Sequence, residues 1–186
     1  RRFQRQGPDI ANQIRILKSR DLVAKSVEDF DHSITHFIVG RVRSLPVGGL
    51  SGVEVIASPE QFSQNALGVD FDLNVLDTKR YALSATLLNG ELYSEEHAFG
   101  EPIQNGDFSL TIQRSKDGRG SIEQAIAQGQ RFQVRNNAQV INSYRNRLVV
   151  SGVGQTSILK MQVDDILPDR AIEFLDALSV RYLEYS

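Results

Sequence analysis

Apolar residues recur at helical spacing near both ends of the chain and alternate at strand spacing between them. Over residues 9–30, Ile10, Ile14, Leu17, Ala24 and Val27 follow at three, four and seven, close to one helix face. Ile16, Val23 and Phe30 form a second stripe beside them. Ser19-Arg20-Asp21 interrupts the segment. A serine there can accept a first-turn N–H, and an aspartate suits the positive end of a helix, so the pattern predicts one bent helix or two abutting ones.

From residue 33 the period changes. Residues 34–43 are β-branched and aromatic and read as a strand, broken by Pro46 and Gly48-Gly49. Val53–Ile56 reads as a second strand, stopped by Ser58-Pro59. Phe71–Leu76 and Phe108–Ile112 alternate apolar and polar, as half-buried strands do. Tyr81–Leu88 continues in that style up to Asn89-Gly90, a hairpin signal, and residues 116–120 are a polar turn. Arg131–Val134 is another strand. Asn136 with Gln139 resembles a capping box for a short helix to about Asn146, with Val140, Ile141 and Tyr144 on one side. Leu148–Val150 and Ser157–Val163 are strands joined through Gly152 and Gly154. Asp165 can cap a closing helix with Pro168 in its first turn and a stripe of Ala171, Leu175, Leu178, Tyr182 and Tyr185. No Gly, Asn or Pro ends that helix, so the expectation is that it continues past the excised end. These elements predict an α+β fold over 1–186: a mixed sheet packed by N-terminal and C-terminal helices, with a run of short strands in the middle third.

Composition narrows the function classes. The 186 residues suffice for one domain with a real core. A net charge of -2 removes the basic footprint of a general nucleic-acid binder. No apolar run approaches the roughly 18–20 residues of a membrane span. The chain has no Cys, which excludes thiolate zinc sites, thiol catalysis and disulfides and is compatible with an oxidising compartment.

The candidate chemistry is sparse. His32 and His36 are four apart, but on a strand that spacing separates them by about 13 Å, too far for a metal pair. His97 lies in Glu95-Glu96-His97, lacks the second His of a zincin motif, and reads as a loop residue. Asp70 with Asp72, and Asp164, Asp165 and Asp169, can each face a cation, yet neither run has the Gly and terminal Glu of a calcium loop. Gly48-Gly49-Leu50-Ser51-Gly52 lacks the Lys-Ser or Lys-Thr of a phosphate loop, and Gly152-Val153-Gly154 reads as a turn. Arg41 and Arg43 share a strand face that could meet an anion, although a solvated face is the commoner outcome. No residue is singled out as catalytic, cofactor-binding or metal-binding.

Three blocks together resemble the periplasmic part of bacterial polysaccharide co-polymerases, the Wzz-type chain-length determinants and the Wzc-like exopolysaccharide export proteins. The first is Asn12-Gln13-Ile14-Arg15-Ile16-Leu17-Lys18-Ser19-Arg20-Asp21-Leu22-Val23. The second is Gly100-Glu101-Pro102-Ile103 followed by Gly106-Asp107-Phe108-Ser109-Leu110. The third runs from Tyr144-Arg145-Asn146-Arg147-Leu148-Val149-Val150 through Thr156–Leu159 to Pro168-Asp169-Arg170-Ala171 and Leu175-Asp176-Ala177-Leu178, ending at Tyr182. Position 176 is Asp where the family usually carries Asn.

The resemblance implies a non-catalytic scaffold segment on the periplasmic side of the bacterial inner membrane, excised from a larger protein, with the β-rich middle at about 66–115 as an insertion of the longer family members. It implies membrane attachment through segments outside this stretch and a homo-oligomeric ring in the anchored full-length protein. It further implies work with a polysaccharide polymerase and export machinery on exopolysaccharide or capsular polysaccharide. No cofactor and no nucleic acid enter, and any tyrosine autokinase would lie elsewhere in the parent protein. Ring assembly needs two complementary surfaces per protomer, expected to involve the first helix and the sheet or last helix. Two alternatives stay open. One is a glycan-binding β-rich module stacking sugars on exposed Tyr81, Tyr93 and Phe99. The other is a hydrolase using an Asp/Glu pair.

Overall fold

The computed structural model describes residues 7–28, 33–40, 44–116, 120–154, 156–165 and 167–185. In chain order the elements are α1 (Gly7–Leu17), α2 (Arg20–Glu28), β1 (Ile34–Val39), β2 (Ser44–Val47), β3 (Val53–Phe62), β4 (Phe71–Val75), β5 (Arg80–Thr86), β6 (Leu92–Ala98), β7 (Pro102–Gln104), β8 (Phe108–Arg114), α3 (Ile122–Ala127), β9 (Gly129–Val134), α4 (Asn137–Arg147), β10 (Leu148–Gly152), β11 (Leu159–Val163) and α5 (Pro168–Tyr185). The fold is α+β, with helices toward both ends of the sequence and a central region of several sheets. The chain divides into two compact units, Arg1–His32 with Asn137–Ser186, and Ser33–Asn136.

The helical unit is built from both ends of the sequence. The first segment forms two helices, because Ser19 caps the second: the Leu22 N–H donates to Ser19 Oγ at 3.2 Å. Leu17, Leu22, Val23 and Val27 share one core with Val140, Ile141 and Tyr144 of α4, Leu148, and Phe174 and Leu178 of α5. The antiparallel β10–β11 hairpin packs Val150, Leu159, Met161 and Val163 against that core. Asp165 does not cap α5 directly. Its Oδ1 accepts from the Leu167 N–H, and Pro168 then opens the helix, where a missing N–H costs little. The buried centre of α5 is Leu178, a member of the expected stripe, with Phe174, which that stripe does not include. Leu175 and Tyr182 flank that centre, and Tyr185 is 67% exposed.

The strand-rich unit holds a six-stranded sheet, order β2-β1-β9-β4-β5-β6, and a three-stranded sheet, order β3-β8-β7. Among the described residues, their strand pairings are antiparallel. Alternation places Phe71, Leu73 and Val75, Tyr81 and Leu83, and Phe108, Leu110 and Ile112 in a single core. An aromatic cluster knits it: Phe71 stacks on Phe132 at 5.2 Å and meets Phe108 edge-on at 5.0 Å.

Several expectations change here. The strand from Ile34 ends at Val39 rather than running to 43, and it pairs antiparallel with β2, with Phe37 opposite Pro46. The Val53 strand runs through Ser58-Pro59 to Phe62, absorbing the proline in a register shift between Ala57 and Phe62. Among the described residues, β1 to β9 lie between Ile34 and Val134, with α3 set between β8 and β9. The helix α3, not foreseen, is set by a capping box between Ser121 and Gln124. The Asn89-Gly90 hairpin forms between β5 and β6. Only Gly90 takes positive φ, at 86°, while its N–H donates to the Leu87 carbonyl and the Leu87 N–H to the Glu91 carbonyl. That is a three-residue loop with the glycine as bulge, not a two-residue turn.

Candidate functional site

The structure disperses most of the residues that the sequence offers for chemistry. His36 lies on β1 opposite Val47 and Phe132, whereas His32, Arg41 and Arg43 lie outside the described residues. Asp70 and Asp72 do meet a cation, but it is a side chain. Arg131 on the adjacent β9 binds Asp72 through Nε at 2.7 Å and Asp70 through NH1 at 2.9 Å. The hydrogen bond that Arg131 donates to Asp72 raises the Arg131 pKa, and Gln133 completes the group by donating to Asp70. Among the described residues no cluster of three or more His, Asp or Glu side chains could hold a metal ion.

Of the aspartates around 165, one is structural. Asp165 accepts from the Tyr144 hydroxyl at 3.2 Å and pairs with Arg147 NH1 at 3.3 Å. Arg147 also donates to the Asp164 carbonyl and lies over the Tyr144 ring at 4.8 Å. This node ties the turn before α5 to α4. Burial is the main cause that pushes the Tyr144 hydroxyl up to about 12.

Tyr81 and Tyr93, expected at the surface, are part of the interior, at 0% and 7% exposed. Phe99 is half-buried against that core and packs on Tyr81 at 5.1 Å. Neither tyrosine presents an open ring face for a sugar. His97 is not in a loop: it lies on β6 opposite Tyr81, with Nε2 2.7 Å from the Tyr93 hydroxyl and 3.7 Å from Glu95. Burial, reinforced by the Glu95 charge, raises the Tyr93 pKa.

The Tyr81 hydroxyl is buried without a hydrogen-bond partner of ordinary geometry. Burial, with the Glu101 charge second, pushes it up to about 12, and the Ile112 backbone opposes the shift. Because the unfolded chain gives up this proton near pH 10, stability is intact below that pH and falls as pH rises from about 10 toward 12. Tyr81→Phe removes both the unpaired group and this share of alkaline sensitivity. Chemical denaturation is expected to show a gain of about 1 kcal/mol at neutral pH and a shallower decline above pH 10.

The two glycine runs are architectural. Ser51 is held at both backbone atoms by the buried Gln130 amide, at 2.7 and 3.3 Å. Gly52, at φ 67°, lies against the backbone of Ser121. Gly154, at φ 58°, turns the β10–β11 connection, where the Val153 N–H donates to the Ile158 carbonyl.

What remains is a surface of the helical unit. Between α2 and α5 an open cleft of about 350 Å³ is lined by Leu22, Lys25, Glu28, Arg181, Glu184 and Tyr185. On α5, Ile172, Val180 and Leu183 are 56, 55 and 74% exposed. Spacings of eight and three bring these three close to one helix side, away from Phe174 and Leu178. The sequence stripe drawn through Tyr185 missed this second face. Reading Phe174 as the buried anchor would have exposed it.

No protein-family model matches this chain, and no curated protein is detectably similar to it.

Proposed function

We propose that this chain is a non-catalytic scaffold segment of a bacterial polysaccharide co-polymerase. It acts on the periplasmic side of the inner membrane and governs the length or export of exopolysaccharide or capsular polysaccharide. The observation that carries this reading is that helices from both ends of the sequence enter one core, where Leu22, Val23 and Val27 pack with Phe174 and Leu178. Entering and leaving helices that share a core suit a segment anchored at both ends.

Polar groups that sequence chemistry singled out are satisfied by side chains of the fold, as Asp70, Asp72 and Asp165 are. The exposed apolar residues of α5 fit a protein contact better than a ligand site. In the anchored protein that face is one half of a head-to-tail contact between protomers, and the polymerase and export machinery are the further partners.

The test is genetic and chemical. Deleting the gene in its bacterial host and resolving surface polysaccharide by gel electrophoresis is expected to change the modal chain length or abolish surface polymer. Complementation with the full-length gene restores the original profile. Unchanged length together with unchanged export contradicts the reading.

A further inference from the structure

Edge strands present unpaired N–H and C=O groups, and proteins blunt them with short strands, prolines, bulges or charged side chains. Among the described residues, three of the four sheet edges of the strand-rich unit carry a proline. Here β2 has four residues and contains Pro46, β7 has three and begins at Pro102, and β3 carries Pro59 at its register shift. The remaining two prolines of the chain, Pro8 and Pro168, lie in the first turns of α1 and α5. The fourth edge, β6, is seven residues long, is paired with β5 along its length, and has neither proline nor bulge.

The register identifies which groups face outward. The Leu87 N–H bonds to the Glu91 carbonyl, so Ala85 with Tyr93, Leu83 with Glu95 and Tyr81 with His97 are the hydrogen-bonded pairs. The main-chain groups of Leu92, Ser94, Glu96 and Ala98 therefore point away from β5. At Ala98 they are already satisfied: its N–H donates to Glu101 Oε2, and its carbonyl accepts from the Glu101 N–H. Leu92, Ser94 and Glu96 are exposed and have no strand beyond them among the described residues.

Carboxylates predominate along this edge. Glu91, Glu95 and Glu96 lie on or beside it, with Glu95 and Glu96 about 60% exposed, and Arg80 is the cation paired to Glu96. A second copy is a poor occupant. Self-pairing centred on Ser94 or Glu95 crowds the four glutamates at 95 and 96 of two copies onto one ladder. We infer that the β6 edge is a strand-addition site for an extended, lysine- or arginine-bearing segment of another protein, with an apolar residue over Leu92. The inference stands apart from the polysaccharide reading, since it rests only on this edge.

Two blocked peptides of alternating valine and charged residue test it, one with lysine and one with glutamate. Every second amide is N-methylated, so that each peptide pairs through one edge. The lysine peptide is expected to slow amide exchange at Leu92, Ser94 and Glu96, and the glutamate peptide is not. Ser94→Pro deletes an outward donor without touching the β5 ladder and is expected to abolish binding. The double variant Glu95→Lys/Glu96→Lys keeps the backbone and is expected to weaken lysine-peptide binding by about tenfold. Several results overturn the inference: no protection by the lysine peptide, equal binding of both peptides, or lysine-peptide binding unchanged in both variants. Dimerisation of the chain through β6 in sedimentation also overturns it, because the occupant is then a second copy.

Discussion

Phe174→Ala is expected to destabilise the helical unit by about 3–5 kcal/mol, the cost of emptying a fully buried aromatic site. Phe174 is 0% exposed and stacks on Tyr144 with ring centroids 4.4 Å apart. Tyr144 in turn donates to Asp165, the residue bracing the start of α5. Removing the Phe174 ring therefore loosens a core and the turn that leads into it. The helical circular-dichroism melt is expected to fall by on the order of 20 °C. Ile172→Ala, on the same helix but 56% exposed, is the control and is expected to stay within about 0.5 kcal/mol of the parent. Equal melts for the two variants would contradict the assignment of Phe174 as the anchor of α5.

Gly52→Ala is the second large effect, and its cause is backbone. A Cβ at position 52 would lie 2.7 Å from the Ser121 carbonyl oxygen, 2.8 Å from its carbon and 2.9 Å from the Ile122 nitrogen. None of these is a flexible side-chain end. The position also sits at φ 67°, where an L residue costs about 1–2 kcal/mol. Displacing the Ser121 segment adds about 1–3 kcal/mol and disturbs the cap of α3. The expected loss is on the order of 3 kcal/mol in urea unfolding. Gly90→Ala separates the two causes. Its φ is 86°, but nothing lies within 4 Å of the added Cβ, so only the conformational part is paid. Comparable losses in both variants would show that the close approach at Gly52 carries no energy.

The sequence makes legible those elements in which one periodicity runs unopposed. Ser19 divides α1 from α2 because its hydroxyl is needed by the Leu22 N–H, a local requirement readable from residue type. Alternation likewise places Phe71, Leu73 and Val75 inside. The misplacements arise where a distant contact decides. Pro59 reads as a strand stop, yet pairing with β8 resumes at Phe62 opposite Phe108 and carries the strand through. Tyr81, Tyr93 and His97 look like surface aromatics and a loop histidine because glutamates surround them. Their alternate positions on β5 and β6 turn them inward. The partner of Asp70 and Asp72 comes from 131, a register that no local pattern encodes. The edge exposed at β6 was invisible for the same reason: strand order is set by long-range pairing, not by composition.

α2 and α5, from opposite ends of the sequence, lie side by side in one core. The chain has no native cysteine, so Lys25→Cys with Glu184→Cys gives two unique spin-label sites on the walls of one cleft. Pulsed electron resonance on the doubly labelled chain should give a single narrow distribution at short distance. A broad or long-distance distribution, with both helices still formed, would contradict the account.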